Sequence, residues 1–181
     1  MKFTETDLAG VFVIEPEIHV DRRGFFFEAY NKRKFAEHGL ATNFVQDNHS
    51  RSTRGTIRGL HLQRSRPQTK LVRVLHGQIF DVVVDITRKS SSFGRWISLE
   101  LSSDNHRMCF IPSGYAHGFC ALSAYAEVEY KSSDFYDPSD ELTIAWNDPS
   151  LGIAWPIPEP ILSEKDLIAP TLSELLELLP E

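Results

Sequence analysis

A histidine within a strand-like stretch is the first residue whose type and setting could do chemistry. The stretch RGLHLQ (residues 58–63) has the leucines and the alternation of a buried β-strand. At the strand period of two, His61 and Gln63 fall on one face, and Arg58 falls on the other face with the two leucines. A strand that is apolar on one side and polar on the other suits the wall of a β-barrel whose lumen holds a ligand. A structural histidine with satisfied hydrogen bonds is the alternative at this position.

Three further segments combine polar, reactive side chains with strand-like surroundings. They are DRRGFFFEAY (residues 21–30), FVQDNHS (residues 44–50) and YKSSDFY (residues 130–136), and Gln68 and Lys70 follow soon after RGLHLQ. Because a barrel arranges distant strands around one lumen, the separation of these segments along the chain is no obstacle to a common site. We therefore expect one polar cavity that draws on all of them.

Basic residues are concentrated in one part of an acidic protein. The formal net charge is −6, yet residues 22–73 contain 12 Lys and Arg against 3 Asp and Glu. The net acidity argues against general binding to nucleic acid or to acidic lipid. Clustered guanidinium groups suit a phosphate, because arginine binds phosphate oxygens in bidentate fashion. This concentration of basic residues has two possible explanations. It could bind a small anionic ligand, or it could form a solvated basic face that pairs with an acidic one.

Short β-rich runs dominate the middle of the chain and predict the elements that carry these residues. In KLVRVLHGQIFDVVVDI (residues 70–86), His76 and Gly77 separate two apolar runs and predict the tight turn of a hairpin. Five more runs follow, namely RWISLEL, RMCFIP, GFCALS, AEVEYKSSDFY and LTIAW. Strands at this density without intervening helices indicate an all-β sandwich or barrel. With 181 residues, 41% of them apolar, we expect a single domain over residues 1–181.

Helix signals occur at the edges of this β-rich region. In NKRKFAEHG, Asn31 can cap the start of a helix and Gly39 can end it in a left-handed conformation. In TLSELLELL, Thr171 and Glu174 have the spacing of a capping box, and four leucines lie along one helical face. We expect that face to pack on the body of the protein or on a second subunit.

The N-terminus and the cysteines predict a cytoplasmic protein. The first residues, MKFTETDLAG, are charged and lack the apolar core of a signal peptide, and no apolar run is long enough to cross a bilayer. Cys109 and Cys120 are the only cysteines and lack the spacing of a zinc site. In a reducing compartment they are most simply interpreted as buried thiols.

Six stretches together resemble the dTDP-4-dehydrorhamnose 3,5-epimerase family, from residue 11 to about residue 170. They are DRRGFFFEAY, FVQDNHSRSTRGTIRGLHLQ, QTKLVRVLHGQIFDVVVDI, IPSGYAHGF, EYKSSDFY and WNDPSLGIAWP, in the order found in the family. The resemblance implies a cupin-type jelly-roll barrel that pairs as a homodimer. It also implies an epimerase without cofactor or metal, which inverts C3 and C5 of dTDP-4-keto-6-deoxyglucose to give dTDP-4-keto-L-rhamnose.

The resemblance assigns catalytic roles to four residues. His61 matches the general base, Tyr130 the proton donor, and Asp166 the carboxylate that orients the histidine. Lys70 matches the cation near the C4 oxygen. These roles suit the reaction because C3 and C5 flank the C4 ketone. A base can remove either proton if the enolate is stabilised, and an acid on the opposite face can return one.

Nine further positions match residues that bind the substrate in the family. Those that engage the nucleotide are Arg23, Glu28, Gln46 and Asn48, and those with other substrate contacts are His117, Glu141 and Lys165. Tyr136 matches the aromatic residue that stacks on thymine, and Arg58 matches a ligand of the diphosphate.

The two assigned residues of RGLHLQ conflict with regular strand geometry. Arg58 and His61 have opposite parity on a regular strand, although both are expected to reach the lumen. A β-bulge or twist at Gly59 would resolve the conflict, because glycine is the residue type best suited to it.

Three other functions compete with this interpretation. A metal-dependent cupin, an oxygenase or isomerase, needs clustered histidines and a carboxylate on iron, manganese or zinc, whereas this strand has Gln63 two residues after His61. A non-catalytic sugar-nucleotide binder would have no use for a base and an acid on facing sides. An epimerase of a related pathway that inverts only C3 or only C5 would share the same residues.

Three of the assigned residues also have a structural alternative. Tyr130 could be an aromatic residue of the barrel wall, Asp166 a first-turn acid of a short helix, and His117 a turn histidine.

Overall fold

A computed structural model of the chain describes residues 1–180, so Glu181, the last residue of the predicted domain, lies outside the described part. The strands in chain order are β1 (Lys2–Glu5), β2 (Phe12–Glu15), β3 (His19–Asp21), β4 (Gly24–Phe26), β5 (Gln46–Thr53), β6 (Ile57–Gln63), β7 (Lys70–His76), β8 (Gln78–Asp85), β9 (Trp96–Ser102), β10 (Met108–Ile111), β11 (Tyr115–Ala121), β12 (Tyr125–Ser132) and β13 (Glu141–Thr143). The helical elements are α1 (Lys32–Glu37), α2 (Glu164–Leu167) and a 3₁₀ turn (Leu176–Leu178).

Two antiparallel sheets pack face to face as a jelly-roll sandwich, which confirms the all-β, cupin-type prediction. The six-stranded sheet has the order β1-β2-β10-β7-β12-β5, and the five-stranded sheet has the order β13-β6-β11-β8-β9. Strands β3 and β4 form a separate hairpin. Apolar residues of both sheets meet in a common core, in which Val72 and Val128 of one sheet pack with Ile79 and Val83 of the other.

Strand β8 shows why a strand of this fold can be apolar on both faces. Ile79 and Val83 point into the core between the sheets. Val82 and Val84 point outwards, into a second cluster that the C-terminal segment covers with its leucines. The outer face of the six-stranded sheet is covered as well, where α1 packs Phe35 against it. Each sheet is therefore shielded on its outer side.

The hairpin predicted at His76 and Gly77 is wrong. Strand β7 pairs with β10 and β12, whereas β8 pairs with β9 and β11 in the opposite sheet. Gly77 has a φ of +78° and turns the chain from one sheet to the other. A glycine between two apolar runs therefore marked a sharp turn, but the sequence pattern does not distinguish a hairpin from a crossing between sheets.

The two predicted helices had different outcomes. The first is confirmed: Asn31 caps α1 by accepting hydrogen bonds from two backbone N–H groups, and Gly39 follows the helix with a φ of +77°. The second is wrong, because TLSELLELL contains only the 3₁₀ turn. Its leucines at positions 172, 175 and 179 are buried on the body of the protein, so tertiary packing rather than helix formation determines this short segment. Among the described residues, no helix is long and apolar enough to cross a bilayer.

The bulge predicted at Gly59 is confirmed. In the pairing of β6 with β11, His61 lies opposite His117 and Arg58 lies opposite Phe119, so β6 holds one residue more than its partner between these pairs. Gly59 has a φ of +120°, and a Cβ atom there would lie 2.6 Å from the Cα atom of Gly118. Both the backbone conformation and the close approach of β11 therefore require glycine.

Candidate active site

A cavity of about 600 Å³ lies between the two sheets. Its walls come from β5, β7 and β12 of one sheet and from β6, β11 and β13 of the other, together with residues 161–166. The cavity is lined by ten of the thirteen predicted site residues: His61, Tyr130, Asp166, Lys70, Asn48, Arg58, His117, Tyr136, Glu141 and Lys165. The structure therefore brings together side chains that are up to 118 positions apart in the sequence.

His61 and Asp166 form a short hydrogen bond at the cavity wall. The distance from His61 Nε2 to Asp166 Oδ1 is 2.6 Å, and the Asp166 side chain is only 2% exposed. Burial raises the pKa of this carboxyl, but the hydrogen bonds from His61 and Ser163 and the nearby positive charges outweigh burial and lower the pKa below its ordinary value. The carboxylate therefore accepts the Nε2 proton, and Nδ1 is the ring nitrogen left to act as a base.

The segment before α2 determines where Asp166 stands. Two backbone hydrogen bonds, from Ile161 N–H to the Gly55 carbonyl and from Ile57 N–H to the Ile161 carbonyl, fasten it to the start of β6. Ser163 then caps α2, and its Oγ donates to Asp166 Oδ2 over 2.8 Å. Asp166 is therefore both the first-turn acid of a short helix and the partner of His61.

Glu141 lies on the other side of the His61 ring. Its Oε1 atom is 3.9 Å from His61 Nδ1, which is beyond hydrogen-bond distance. Its Oε2 atom accepts hydrogen bonds from Lys165 Nζ at 2.6 Å and from the Tyr136 hydroxyl at 3.1 Å. Glu141 thus joins two predicted binding residues and leaves Nδ1 of His61 without a hydrogen bond to its carboxylate.

Tyr130 and Lys70 approach the cavity from the sheet opposite His61. They stand on the neighbouring strands β12 and β7, and Lys70 Nζ is 5.9 Å from the centroid of the Tyr130 ring. Burial lowers the pKa of Lys70 to about 8, although the charges of Glu141 and Asp81 oppose the shift. Burial raises the pKa of Tyr130, so the phenol keeps its proton at neutral pH. The pair therefore offers an ammonium and a phenolic proton to the same space.

The bulge turns Arg58 towards the cavity despite its parity. Its Nε donates to Ser52 Oγ at 2.8 Å, and one terminal nitrogen donates to the Arg51 carbonyl at 3.3 Å. Both partners belong to β5, across the mouth from β6. A fixed guanidinium group at this position suits a phosphate ligand.

Two glutamines position the loop that carries Tyr136. Gln46 lies outside the cavity lining, but its Oε1 accepts from Tyr136 N–H at 3.0 Å, and its Nε2 donates to Asn48 Oδ1 at 2.8 Å. Gln63 Oε1 accepts from the backbone N–H of Asp137 at 2.7 Å. The residue that stands where a metal-dependent cupin would have a second histidine therefore holds this loop in place.

Two predicted nucleotide contacts are not brought to the cavity of this chain. Arg23 is on the hairpin of β3 and β4, where it pairs with Asp21 and its side chain is 84% exposed. Glu28 follows the hairpin and accepts a hydrogen bond from Asn31 Nδ2 at 2.9 Å. If these two residues contact a nucleotide, the nucleotide must therefore lie in a cavity other than the one in their own chain.

The sequence interpretation missed the partner of His117. His117 Nε2 is 2.7 Å from Asp81 Oδ1, and both side chains are buried. A signal was present, since an aspartate inside the apolar strand QIFDVVVD must have a partner if it is buried.

Within residues 1–180, no group of three or more His, Cys, Asp and Glu side chains is arranged to hold a metal ion.

Comparisons with known proteins identify close relatives of this chain. The family model described as dTDP-4-dehydrorhamnose 3,5-epimerase matches residues 5–174. The dTDP-4-dehydrorhamnose 3,5-epimerase of Pseudomonas aeruginosa is 52% identical over 168 residues, covering 92% of this chain and 93% of the relative.

Solved structures extend these similarities to the fold. A dTDP-6-deoxy-D-glucose-3,5-epimerase of Legionella pneumophila in complex with dTDP-4-keto-L-rhamnose is 45% identical, with a TM-score of 0.96 over 99% of this chain and 97% of that chain. A 3'-monoepimerase of Streptomyces bikiniensis in complex with dTDP-quinovose is 35% identical, with a TM-score of 0.90 over 97% of this chain and 91% of that chain. The family model matches most of the chain, and a curated relative is 52% identical over 92% of it. The chain therefore belongs to the dTDP-4-dehydrorhamnose 3,5-epimerase family.

Proposed function

We propose that this protein converts dTDP-4-keto-6-deoxyglucose into dTDP-4-keto-L-rhamnose by inverting C3 and C5 of the hexose. The observation that carries the proposal is a buried His61–Asp166 pair on one side of a cavity whose other side holds Tyr130 and Lys70. An imidazole and a phenol that face one cavity from two sheets match the need for a base and an acid on opposite faces of a sugar ring.

Each inversion proceeds through an enolate at C4. His61 removes the proton from C3 or C5 with Nδ1, and the Asp166 carboxylate stabilises the imidazolium that forms. The Lys70 ammonium stabilises the negative charge that develops on the C4 oxygen. Tyr130 then protonates the carbon from the opposite face, and exchange with solvent returns a proton to Tyr130 and removes the one on His61 before the next inversion. The steps need no cofactor, because the ketone itself makes the neighbouring protons acidic.

The energetic contributions are of ordinary size for such groups. General-base catalysis supplies about 10² to 10⁴-fold in rate. A donor aimed at a developing oxyanion is worth about 2.7 to 4 kcal/mol. Both contributions are needed, since an unassisted base would leave the enolate charge unstabilised.

The remaining cavity residues bind the substrate in this proposal. Arg58 binds the diphosphate, Tyr136 stacks on thymine, and Asn48 contacts the nucleotide. His117, Glu141 and Lys165 contact the rest of the substrate. The support for these roles is their position on one cavity wall or mouth and the hydrogen bonds that fix Arg58 and Tyr136.

A homodimer completes the site in this proposal. The hairpin of β3 and β4 exposes Val20, Phe25 and Phe26 at 77%, 61% and 72%. Arg23 lies on the same hairpin, and Glu28 lies shortly after it. Docking of this segment on a second copy would bury the apolar side chains and would carry both predicted nucleotide contacts to the other copy's cavity.

We also place the protein in the cytoplasm as a single domain. Cys109 and Cys120 are free and buried, which suits a reducing compartment. The two sheets share one core, so neither is expected to fold without the other.

Incubation with dTDP-4-keto-6-deoxyglucose in heavy water tests the reaction. Each inversion returns a solvent-derived proton, so deuterium at both C3 and C5 of an L-configured product is expected. Deuterium at one carbon would instead support a single-carbon epimerase, a candidate favoured by the similarity to the Streptomyces bikiniensis 3'-monoepimerase.

The deuterium assay also excludes or supports a non-catalytic binder, and a metal assay with chelator treatment tests the metal-dependent alternative. A non-catalytic binder would leave both positions unlabelled. A metal-dependent enzyme would contain a stoichiometric metal ion and would lose activity when the ion is removed. In the proposed reaction, activity is independent of chelator.

A further inference from the structure

We propose that Asp81 is a positioning residue that acts through His117, holding the imidazole at Nε2 so that Nδ1–H donates to an oxygen of the hexose. This inference rests on the proposed function and adds to it a residue that the four catalytic roles do not include. Its support is the placement of three side chains on adjacent strands of the five-stranded sheet.

Strand register places His117 next to the proposed base. His117 of β11 lies directly opposite His61 of β6, and both side chains line the cavity. Directly paired residues of antiparallel strands have Cβ atoms about 4.5 to 5.5 Å apart. The part of the substrate that His61 deprotonates is therefore the part within reach of His117, which indicates the hexose rather than the nucleotide.

Asp81 reaches His117 from the next strand. On β8 it lies opposite Phe119, two positions along β11 from His117, and its Oδ1 is 2.7 Å from His117 Nε2. The aspartate is completely buried, and the His117 side chain is 7% exposed. Nε2 is therefore hydrogen-bonded within the protein, and Nδ1 is the ring nitrogen that remains to bind a ligand.

The second oxygen of Asp81 distinguishes it from a structural aspartate. Among the described residues, no donor is within hydrogen-bond distance of the buried Oδ2 atom. Asp85, on the same strand, has both oxygens satisfied, by the N–H of Thr87 and by the hydroxyls of Ser90 and Ser92. Buried carboxyl oxygens in a purely structural role are normally hydrogen-bonded, as they are at Asp85.

Both hydrogen bonds of this inference use a ring N–H of His117 as the donor, one to Asp81 and one to the hexose. The only hydrogen-bond partner of Asp81 among the described residues is the imidazole, so a proton on both ring nitrogens places a cation against the buried anion. An imidazolium has two N–H donors, one for Asp81 and one for the substrate.

The test compares Asp81→Asn with Asp85→Asn in steady-state kinetics on dTDP-4-keto-6-deoxyglucose. We expect Asp81→Asn to lower kcat about 10-fold to 100-fold, the effect of one charge-assisted hydrogen bond, while the affinity for dTDP changes less than about 2-fold. Asp85→Asn is the matched control, with the same substitution on the same strand outside the cavity. We expect it to lower the melting temperature and to leave kcat within about 2-fold.

The route through His117 is tested by a double-mutant cycle. If Asp81 acts through His117, Asp81→Asn causes no further loss of kcat in a His117→Gln background. An equal loss in both backgrounds would overturn the inference. It would show that Asp81 affects turnover through Lys70 or through the stability of the fold.

A spectroscopic measurement on the wild-type protein does not depend on turnover or on the folding of a variant. In ¹⁵N-histidine spectra of the complex with dTDP at neutral pH, both ring nitrogens of His117 are expected to carry protons. A neutral His117 ring would overturn the inference. If the wild-type protein does not epimerise the substrate, the proposed function fails, whereas this spectrum still decides the state of His117.

Discussion

At the scale of single residues, the two nitrogens of His61 have different environments. Nε2 is 2.6 Å from a buried carboxylate, whereas Nδ1 is 3.9 Å from Glu141 and makes no hydrogen bond with it. The first contact fixes the tautomer, because the carboxylate can only accept a proton. The second leaves a lone pair directed to the cavity side of the ring. If His61 is the base, as we propose, the basic atom is therefore Nδ1, because Nε2 is already hydrogen-bonded to Asp166.

Replacing Tyr130 by Phe should separate proton removal from inversion. The proposed base, His61, is unchanged, so we expect deuterium from heavy water to enter the recovered substrate at C3 or C5, while formation of inverted product slows about 10² to 10⁴-fold. NMR of the sugar after incubation measures both quantities. Product formation within about 2-fold of wild type would remove Tyr130 as the donor, and loss of exchange together with product would indicate that it supports the base instead.

The pKa of Lys70 predicts an alkaline limit to activity. Because burial lowers this pKa to about 8, the amine is an ammonium below that pH and loses its charge above it. If the charge stabilises the C4 enolate, kcat/KM falls as the pH rises through about 8, by about tenfold per pH unit. Tyr130 has a pKa above its ordinary value of 10.0 and does not titrate there.

Lys70→Arg is the control for this limit, because arginine keeps its charge throughout the range. The variant is expected to be slower, but its kcat/KM should show no decline near pH 8. An unchanged alkaline limb in Lys70→Arg would assign the titration to another group.

At the scale of elements, the bulge of β6 connects the two halves of the site. It lets Arg58 and His61, three residues apart, both line the cavity, and it brings β6 close to β11 at Gly118. The same close approach places His117 opposite His61. Geometry at one glycine therefore determines the positions of the proposed base, the predicted diphosphate ligand and the second histidine.

Gly59→Ala tests this dependence. A φ of +120° disfavours any side chain, and the new Cβ would lie 2.6 Å from the backbone of Gly118, so we expect a loss of about 3 kcal/mol or more in the free energy of unfolding. Gly39→Ala is the matched control. Gly39 also has a positive φ, +77°, but its Cβ would meet nothing within 4 Å, so a loss of about 1 kcal/mol is expected. Urea denaturation measures both, and equal losses would show that steric contact with β11 contributes nothing.

Local chemistry explains which elements could be predicted from the sequence. Helix α1 was predictable because its cap, Asn31, and its terminating residue, Gly39, act within one or two turns of the chain. The bulge was predictable because Arg58 and His61 conflict in parity. The path after Gly77 was not, since the choice between pairing with β7 and crossing to the other sheet depends on partners far along the chain. The hydrogen bond of Asp81 to His117 likewise needs the pairing of β8 with β11.

At the scale of the whole molecule, coverage of the sandwich is uneven. The C-terminal leucines and α1 cover the outer faces of the two sheets. The hairpin of β3 and β4 instead exposes Phe25 and Phe26. Large exposed aromatic side chains on a two-stranded hairpin are costly in a monomer and mark a docking surface. In the proposed homodimer a second copy of the chain covers this surface, which would also account for the position of Arg23 outside its own cavity.

Subunit mixing tests whether Arg23 acts on the site of the partner. Arg23→Ala and His61→Ala are each expected to have greatly reduced activity as homodimers. If Arg23 serves the partner's cavity, a mixed dimer has one site with neither change, because the intact His61 of one chain meets the intact Arg23 of the other. Mixing after reversible dissociation should therefore restore activity towards one half of the wild-type value per mixed dimer.

If Arg23 instead acted within its own chain, every site of the mixed dimer would carry one change, and mixing would restore nothing. Sedimentation must show dimers before and after mixing, and His61→Ala mixed with wild type measures the loss due to His61 alone. A monomer in solution at assay concentrations would contradict the dimer directly. Full activity of Arg23→Ala by itself would instead remove Arg23 from the site, leaving the exposed hairpin without a catalytic purpose.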